Sequence, residues 1–139
     1  MIFVDSWAWI ALAARGDREH QQAQQQHRHF LHEKRQYVTT NFVLSEVVTH
    51  LYRCHPASET QSFVNSILSA ANAGTYQLVH LSDQQFHRAW FMRQRYHDKP
   101  DISFVDFTSF VVMQELGITD VFTGDAHFKQ VNLGFHLFP

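Results

Sequence analysis

A single cysteine, Cys54, stands in 139 residues, which excludes an intramolecular disulfide and any cysteine-based zinc cluster. No apolar run approaches the ~20 residues of a membrane span, and no basic head precedes an apolar stretch in the manner of a signal peptide. The expectation is a soluble, cytoplasmic protein with no membrane partner. No internal repeat is visible and no Pro-, Gly- or Ser-rich linker divides the chain, so residues 1–139 read as a single domain. A basic excess is also missing: 11 Lys plus Arg face 13 Asp plus Glu, for a formal charge of −2. Proteins that grip nucleic acid through surface charge alone usually carry a basic surplus. That balance argues against a simple nucleic-acid-binding module, and leaves room for an enzyme that recruits metal cations. Among 11 His there is no H-E-x-x-H, which speaks against a zinc hydrolase.

What is present suits a compact core. The chain is 45% hydrophobic, and 13 Phe, 3 Trp and 4 Tyr make the interior strongly aromatic. Met1-Ile2-Phe3-Val4 is an apolar run of strand length that ends at Asp5, as expected of a strand buried on both faces of a parallel sheet. Ser6 to Ala14 favours helix, with a stop near Gly16. A polar helix is expected from about Asp17 through residue 35, its Gln-rich patch facing solvent. Tyr37 to Thr40 reads as a second strand, followed by a helix capped by Asn41 and running to about Cys54, with Val43, Val47, Val48 and Leu51 on its apolar stripe.

Pro56 breaks that helix, and another is expected from Ala57 to Ala73, with Phe63, Ile67, Leu68 and Ala71 buried and Gly74 closing it. Tyr76 to Leu81 reads as a third strand. Ser82-Asp83-Gln84-Gln85 then has the form of a capping box, opening a helix to about His97. After a loop, Ser103 starts a helix with Asp106 in its first turn and Gly117 at its end. Asp120 to Thr123 and Phe135 to Phe138 complete the strands. This alternation implies βαβ crossovers, hence an α/β fold: a three-layer α/β/α sandwich around a mostly parallel sheet.

In such a sheet, ligands bind beyond the carboxyl ends of the strands. Asp5 ends the first strand, Asp125 follows the fourth, Asp106 opens a helix near the same edge, and Glu46 lies about one turn into the helix after the second strand. Grouped carboxylates repel, and a proton or a cation must relieve that repulsion. No Lys or Arg stands within four residues of Glu46 or Asp106. An all-oxygen site of this kind suits Mg²⁺ or Mn²⁺ rather than zinc, and such ions support phosphodiester hydrolysis. Each acid also has a plainer reading, such as Asp106 serving the helix dipole.

Other residues carry less. His27, His29 and His32 are spaced so that the three do not share one helix face. Cys54 has no strong base nearby in sequence and reads as a buried or inert thiol. Trp7 and Trp9 read as packing or partner-interface residues. A phosphatase of the haloacid dehalogenase type also opens on a strand and an Asp. It needs a second Asp where this chain has Trp7.

Four segments together resemble the PIN domain, and within it the VapC-type ribonuclease toxins of toxin–antitoxin pairs. They are Ile2-Phe3-Val4-Asp5-Ser6, then Thr39 to Val47 around Glu46, Ile102 to Asp106, and Val121 to Phe128 around Asp125. Their order and spacing agree over residues 1 to 138. The resemblance implies a PIN fold and an endoribonuclease dependent on Mg²⁺ or Mn²⁺, with Asp5, Glu46, Asp106 and Asp125 as its acidic metal site. Ser6 and Thr123 take the family's hydroxyl positions and would orient a carboxylate or water. Asp101 lies outside the family's core positions and reads as a loop acid.

The resemblance also implies an RNA substrate, a cognate antitoxin and a homodimer. The densest basic cluster is Arg88, Arg93, Arg95, His97 and Lys99. From it Arg93, Arg95 and Lys99, together with Arg15 after the first helix, are candidates for RNA phosphate contact, against the plainer reading of a solvated face; Arg18 carries the same two readings. The rival function is a non-catalytic PIN module that binds RNA or scaffolds a protein partner.

Overall fold

A computed structural model of the chain describes residues 1–139. Five strands form one sheet: β1 (Ile2–Val4), β2 (Tyr37–Thr40), β3 (Tyr76–Val79), β4 (Asp120–Phe122) and β5 (His136–Phe138). Their order is β3-β2-β1-β4-β5 and every pairing is parallel. The helices are α1 (Ser6–Ala13), α2 (His20–His32), α3 (Asn41–Cys54), α4 (Ala57–Asn72), α5 (Asp83–Arg95), α6 (Phe104–Leu116) and the short α7 (His127–Gln130). The architecture is the α/β/α sandwich expected of the alternating pattern. The chain leaves β1 outward through β2 and β3, then returns to lay β4 on the other side of β1. That reversal makes a crevice between the carboxyl ends of β1 and β4, where open α/β sheets bind ligands.

The register explains several element boundaries. Tyr37 to Thr40 pair with Tyr76 to Val79 residue for residue, so β3 stops at Val79 rather than Leu81 because β2 offers no further partner. Thr40, not Asn41, caps α3: its hydroxyl accepts the Val43 N–H at 3.1 Å. The Asn41 amide oxygen instead accepts the Leu81 N–H at 3.0 Å, tying the start of α3 to the exit of β3. α2 begins at His20 because the Asp17 carboxylate takes the Glu19 N–H at 2.8 Å, holding a turn where helix was expected. Along α4, Ile67 is buried but Leu68 is exposed, so the apolar stripe is narrower than its spacing suggested. The Ser82–Gln85 capping box forms in both directions, and Gly117 ends α6 in the left-handed conformation at φ 66°.

Twenty-eight buried residues make one contiguous core. One aromatic set joins Trp9, Phe30, Tyr37, Tyr76 and Phe122; another joins Tyr96, Phe107, Phe110, Phe128 and Phe135. Helix α6 is buried at every position from Asp106 to Met113, the mark of a central rather than a surface helix. Asp106 is the first residue of that buried run, so its position is set by the core beneath α6. No helix is long and apolar enough to cross a membrane.

Candidate active site

β1 hands the chain directly to α1 at Asp5, whose N–H still donates to the Phe122 carbonyl at 3.3 Å. The Asp5 side chain is thereby fixed at the β1–β4 crevice, and is only 2% exposed. Beyond β4, the Thr123 hydroxyl donates to Asp5 Oδ2 at 2.8 Å and accepts the Asp125 N–H at 3.0 Å. Asp125 Oδ1 in turn accepts the His127 N–H at 2.9 Å, which turns the chain into α7. The His127 ring closes the circuit: its Nδ1 lies 3.1 Å from Asp106 Oδ2 and 3.3 Å from Asp125 Oδ1. Asp106 is set in the first turn of α6 by Ser103, whose hydroxyl accepts the Asp106 N–H at 3.1 Å. Three elements remote in sequence thus meet through one run of hydrogen bonds.

Electrostatics follows from that crowding. Burial raises Asp5 from 3.8 to about 7, helped by the charges of Asp106 and Asp125 and opposed by the bonds from Thr123 and the Ser6 amide. Burial likewise raises Asp106 to about 6, with Asp125 and Glu46 adding repulsion and His127 opposing it. Glu46, half-buried on α3, makes no hydrogen bond of its own and reaches the cluster through its charge. No Lys or Arg forms an ion pair with any of the four acids.

The donor set fits a hard divalent cation. Asp5 Oδ1 is buried without a hydrogen-bond partner, a costly state that a cation or a proton would relieve. Ligand atoms of Asp106, Asp125 and His127 lie within 4.8 Å of one another. Carboxylate oxygens dominate, which favours Mg²⁺ or Mn²⁺, and one imidazole is compatible with the latter.

His127 was given no role in the sequence reading. The legible signal was its place two residues after Asp125, where a carboxylate can accept its N–H and turn its ring back toward the acids. Ser6 is half-buried and lines a groove with Glu46, making no hydrogen bond to an acid through its hydroxyl.

The candidate RNA-contact cations do not gather at the acids. Arg15 is exposed beyond the far end of α1, about 12 Å along its axis from Asp5. Arg93 is turned inward: its guanidinium donates to the carbonyls of Ile102 (2.6 Å), Lys99 (2.9 Å) and Tyr96, and lies 4.5 Å from the Phe107 ring centre. It clamps the α5–α6 loop instead of facing solvent. Arg95 is exposed beside a groove between α5 and α6, and the half-buried Lys99 ammonium lies 3.7 Å from Asp98. Arg88 pairs with Glu115 and Arg18 with Glu19; Asp101 and His97 are exposed.

The four histidines of α2 go separate ways, the buried His20 to the Ala11 carbonyl, His27 to the Tyr37 hydroxyl and His29 to Glu33, with His32 exposed. Cys54 is exposed rather than buried. Trp9 is buried and donates to Thr39 Oγ1 at 3.2 Å, while Trp7 packs against the Gly124 backbone.

Known proteins resemble this chain in sequence and in fold. Over 131 residues the chain is 35% identical to the 23S rRNA-specific endonuclease VapC20 of two Mycobacterium tuberculosis strains, covering 93% of this chain and 92% of that protein. The crystal structure of M. tuberculosis VapC20, described as a sarcin–ricin loop cleaving toxin, superposes with a TM-score of 0.83 at 31% identity, over 98% of this chain and 97% of that one. Residues 2–133 match the PIN domain, and with that match, the parallel sheet and the acids at its crevice, the chain belongs to the PIN domain family.

Proposed function

We propose that this chain is a metal-dependent endoribonuclease and the toxin of a toxin–antitoxin pair, its whole length forming one nuclease domain. The observation that supports the reading is the linking of Asp5, Asp106 and Asp125, remote in sequence, through Thr123 and His127 at one crevice, with Glu46 acting on Asp106 through its charge and no Lys or Arg paired to any of the four. Asp5, Glu46, Asp106 and Asp125 would hold Mg²⁺ or Mn²⁺, with His127 beside them. When bound, the ion offsets phosphodiester charge and makes water a competent nucleophile at neutral pH. Thr123 holds Oδ2 of Asp5, so that Oδ1 is the oxygen left for the ion. The His127 N–H holds Asp125 Oδ1 in place, and its ring lies between Asp106 and Asp125. Ser6, whose hydroxyl is bonded to no acid, is left to orient water beside Glu46.

The substrate proposed is 23S rRNA at the sarcin–ricin loop, by likeness to VapC20. Arg15, Arg95 and Lys99 are left as outlying phosphate contacts. A cognate antitoxin, a homodimer and a cytoplasmic setting belong to the same reading.

Purified chain, free of any antitoxin, is incubated with 23S rRNA and with a sarcin–ricin hairpin, plus Mg²⁺ or Mn²⁺. Cleavage is expected, and is lost with EDTA or with Asp5→Asn. Cleavage that survives both controls would overturn the metal site. Metal binding without cleavage of any RNA would favour a scaffold or RNA-binding module.

A further inference from the structure

Between α1 and α3 runs a groove of about 400 Å³ that has Glu46 in its wall and leads along α3 away from it. Ser6 and Glu46 stand at its near end, and Thr49, His50 and Arg53 continue it along α3. Ile10 is its single apolar wall. Glu46, His50 and Arg53 are spaced i, i+4 and i+7, so they share one stripe of the helix. His50 stands ~6 Å and Arg53 ~10 Å along the axis from Glu46, at 1.5 Å per residue.

The charge of Arg53 is uncommitted. Arg18, Arg35 and Arg88 are each paired to a carboxylate, and Arg93 is bonded to loop carbonyls. Arg53 and His50 are exposed and make no ion pair and no side-chain hydrogen bond. A guanidinium presents a planar fork of donors that matches phosphate oxygens, and imidazole and hydroxyl donors beside it suit the same group. In a chain with no basic excess, donors in a polar groove that also holds Glu46 are worth more than scattered surface charge.

We propose that this groove holds an RNA backbone phosphate flanking the scissile one, gripped by Arg53 and His50. The inference rests on the nuclease reading and adds the path of the substrate strand, along α3 away from Glu46.

The test uses Arg53→Gln, the double variant with His50→Gln, Arg53→Lys, and Lys34→Gln as a control. Lys34 is an exposed cation on the α2–β2 turn, at the opposite edge of the sheet. Binding of a fluorescein-labelled sarcin–ricin hairpin and of an unrelated hairpin is measured in EDTA between about 50 and 200 mM salt. Cleavage of the first is then followed in Mg²⁺ or Mn²⁺.

Arg53→Gln is expected to weaken binding of both RNAs about tenfold and flatten the log–log salt slope by about one unit. Its KM rises in proportion while kcat stays within about threefold. The double variant loses more, Arg53→Lys keeps the salt slope, and Lys34→Gln matches wild type. If wild type cuts RNA but the double variant keeps its affinity, KM and salt slope, the groove proposal is overturned and the nuclease reading stands. If wild type neither binds nor cuts RNA, both fall together.

Discussion

Asp5 carries opposed demands on the nuclease reading: it sits in the core, yet a cation there would need its charge. Its folded-state pKa lies near 7 against 3.8 in the unfolded chain, so the fold prefers the proton. The sign follows directly. Between about pH 4 and pH 7 the unfolded chain has released this proton and the native state keeps it, so metal-free stability falls as pH rises through that window. The loss is on the order of 4 kcal/mol at most, at ~1.4 kcal/mol per pKa unit. Asp5→Asn removes the titration. Its metal-free melting curve in EDTA is expected to be flatter between pH 5 and 8, and above wild type at pH 8, while cleavage disappears. A pH dependence as steep as wild type would disprove this account of Asp5. Thr123→Val tests the orienting bond, since the isosteric methyl neither donates to Asp5 nor accepts from Asp125. Cleavage is expected to fall at least tenfold, with a stability cost of about 1–3 kcal/mol, read from kinetics and urea denaturation. The acids themselves were legible in the sequence because each sits just after a strand or within the opening turns of a helix. The ring of His127 was not, because its direction depends on α6 standing opposite.

At the scale of elements, the loop from β4 to α7 places both Thr123 and Asp125, and its tightest constraint is Gly124. A Cβ there would lie 2.5 Å from Cε2 and Cζ2 of the Trp7 indole, well inside contact distance. Gly124→Ala is expected to push the loop off β1 and reduce cleavage more than tenfold while the circular dichroism spectrum is unchanged. Shrinking the obstacle in the double variant with Trp7→Leu should recover part of the rate; no recovery would mean that the indole is not the obstacle. Trp7, read from sequence as packing or an interface, therefore has a definite task beside the site. Strand, cap and breaker signals placed nearly every element, because local chemistry writes them. Lengths were less legible: the end of β3 is decided by β2, and the start of α2 by the Asp17 side chain. Arg93 misled for the same reason. Its carbonyl partners come from a loop whose path no helical spacing reveals, and only a tertiary contact turns the charge inward.

For the molecule as a whole, a site that costs stability when empty should restore it when filled. A divalent ion at about 100 times its Kd adds ~2.7 kcal/mol to the folded state, and for a domain of this size that raises Tm by roughly 10 °C. The shift is expected at pH 8 and should shrink toward pH 5, where protons occupy the same oxygens; differential scanning fluorimetry with Mg²⁺ or Mn²⁺ measures it. An equal shift at both pH values, or one that persists in Asp5→Asn, would move the ion away from these carboxylates. On the nuclease reading, net charge is a poor guide to partner class, and the position of the acids relative to the strands is the better one. The bond from Thr123 to Asp5 spans 118 positions of the chain, and β4 enters the sheet beside the first strand, not at its rim. A ribosome therefore makes Asp5 more than a hundred residues before Thr123 and Asp125. On the nuclease reading, a nascent or prematurely terminated copy that stops short of β4 is inert, and the translation machinery meets an active enzyme only once that strand has been made and laid beside β1.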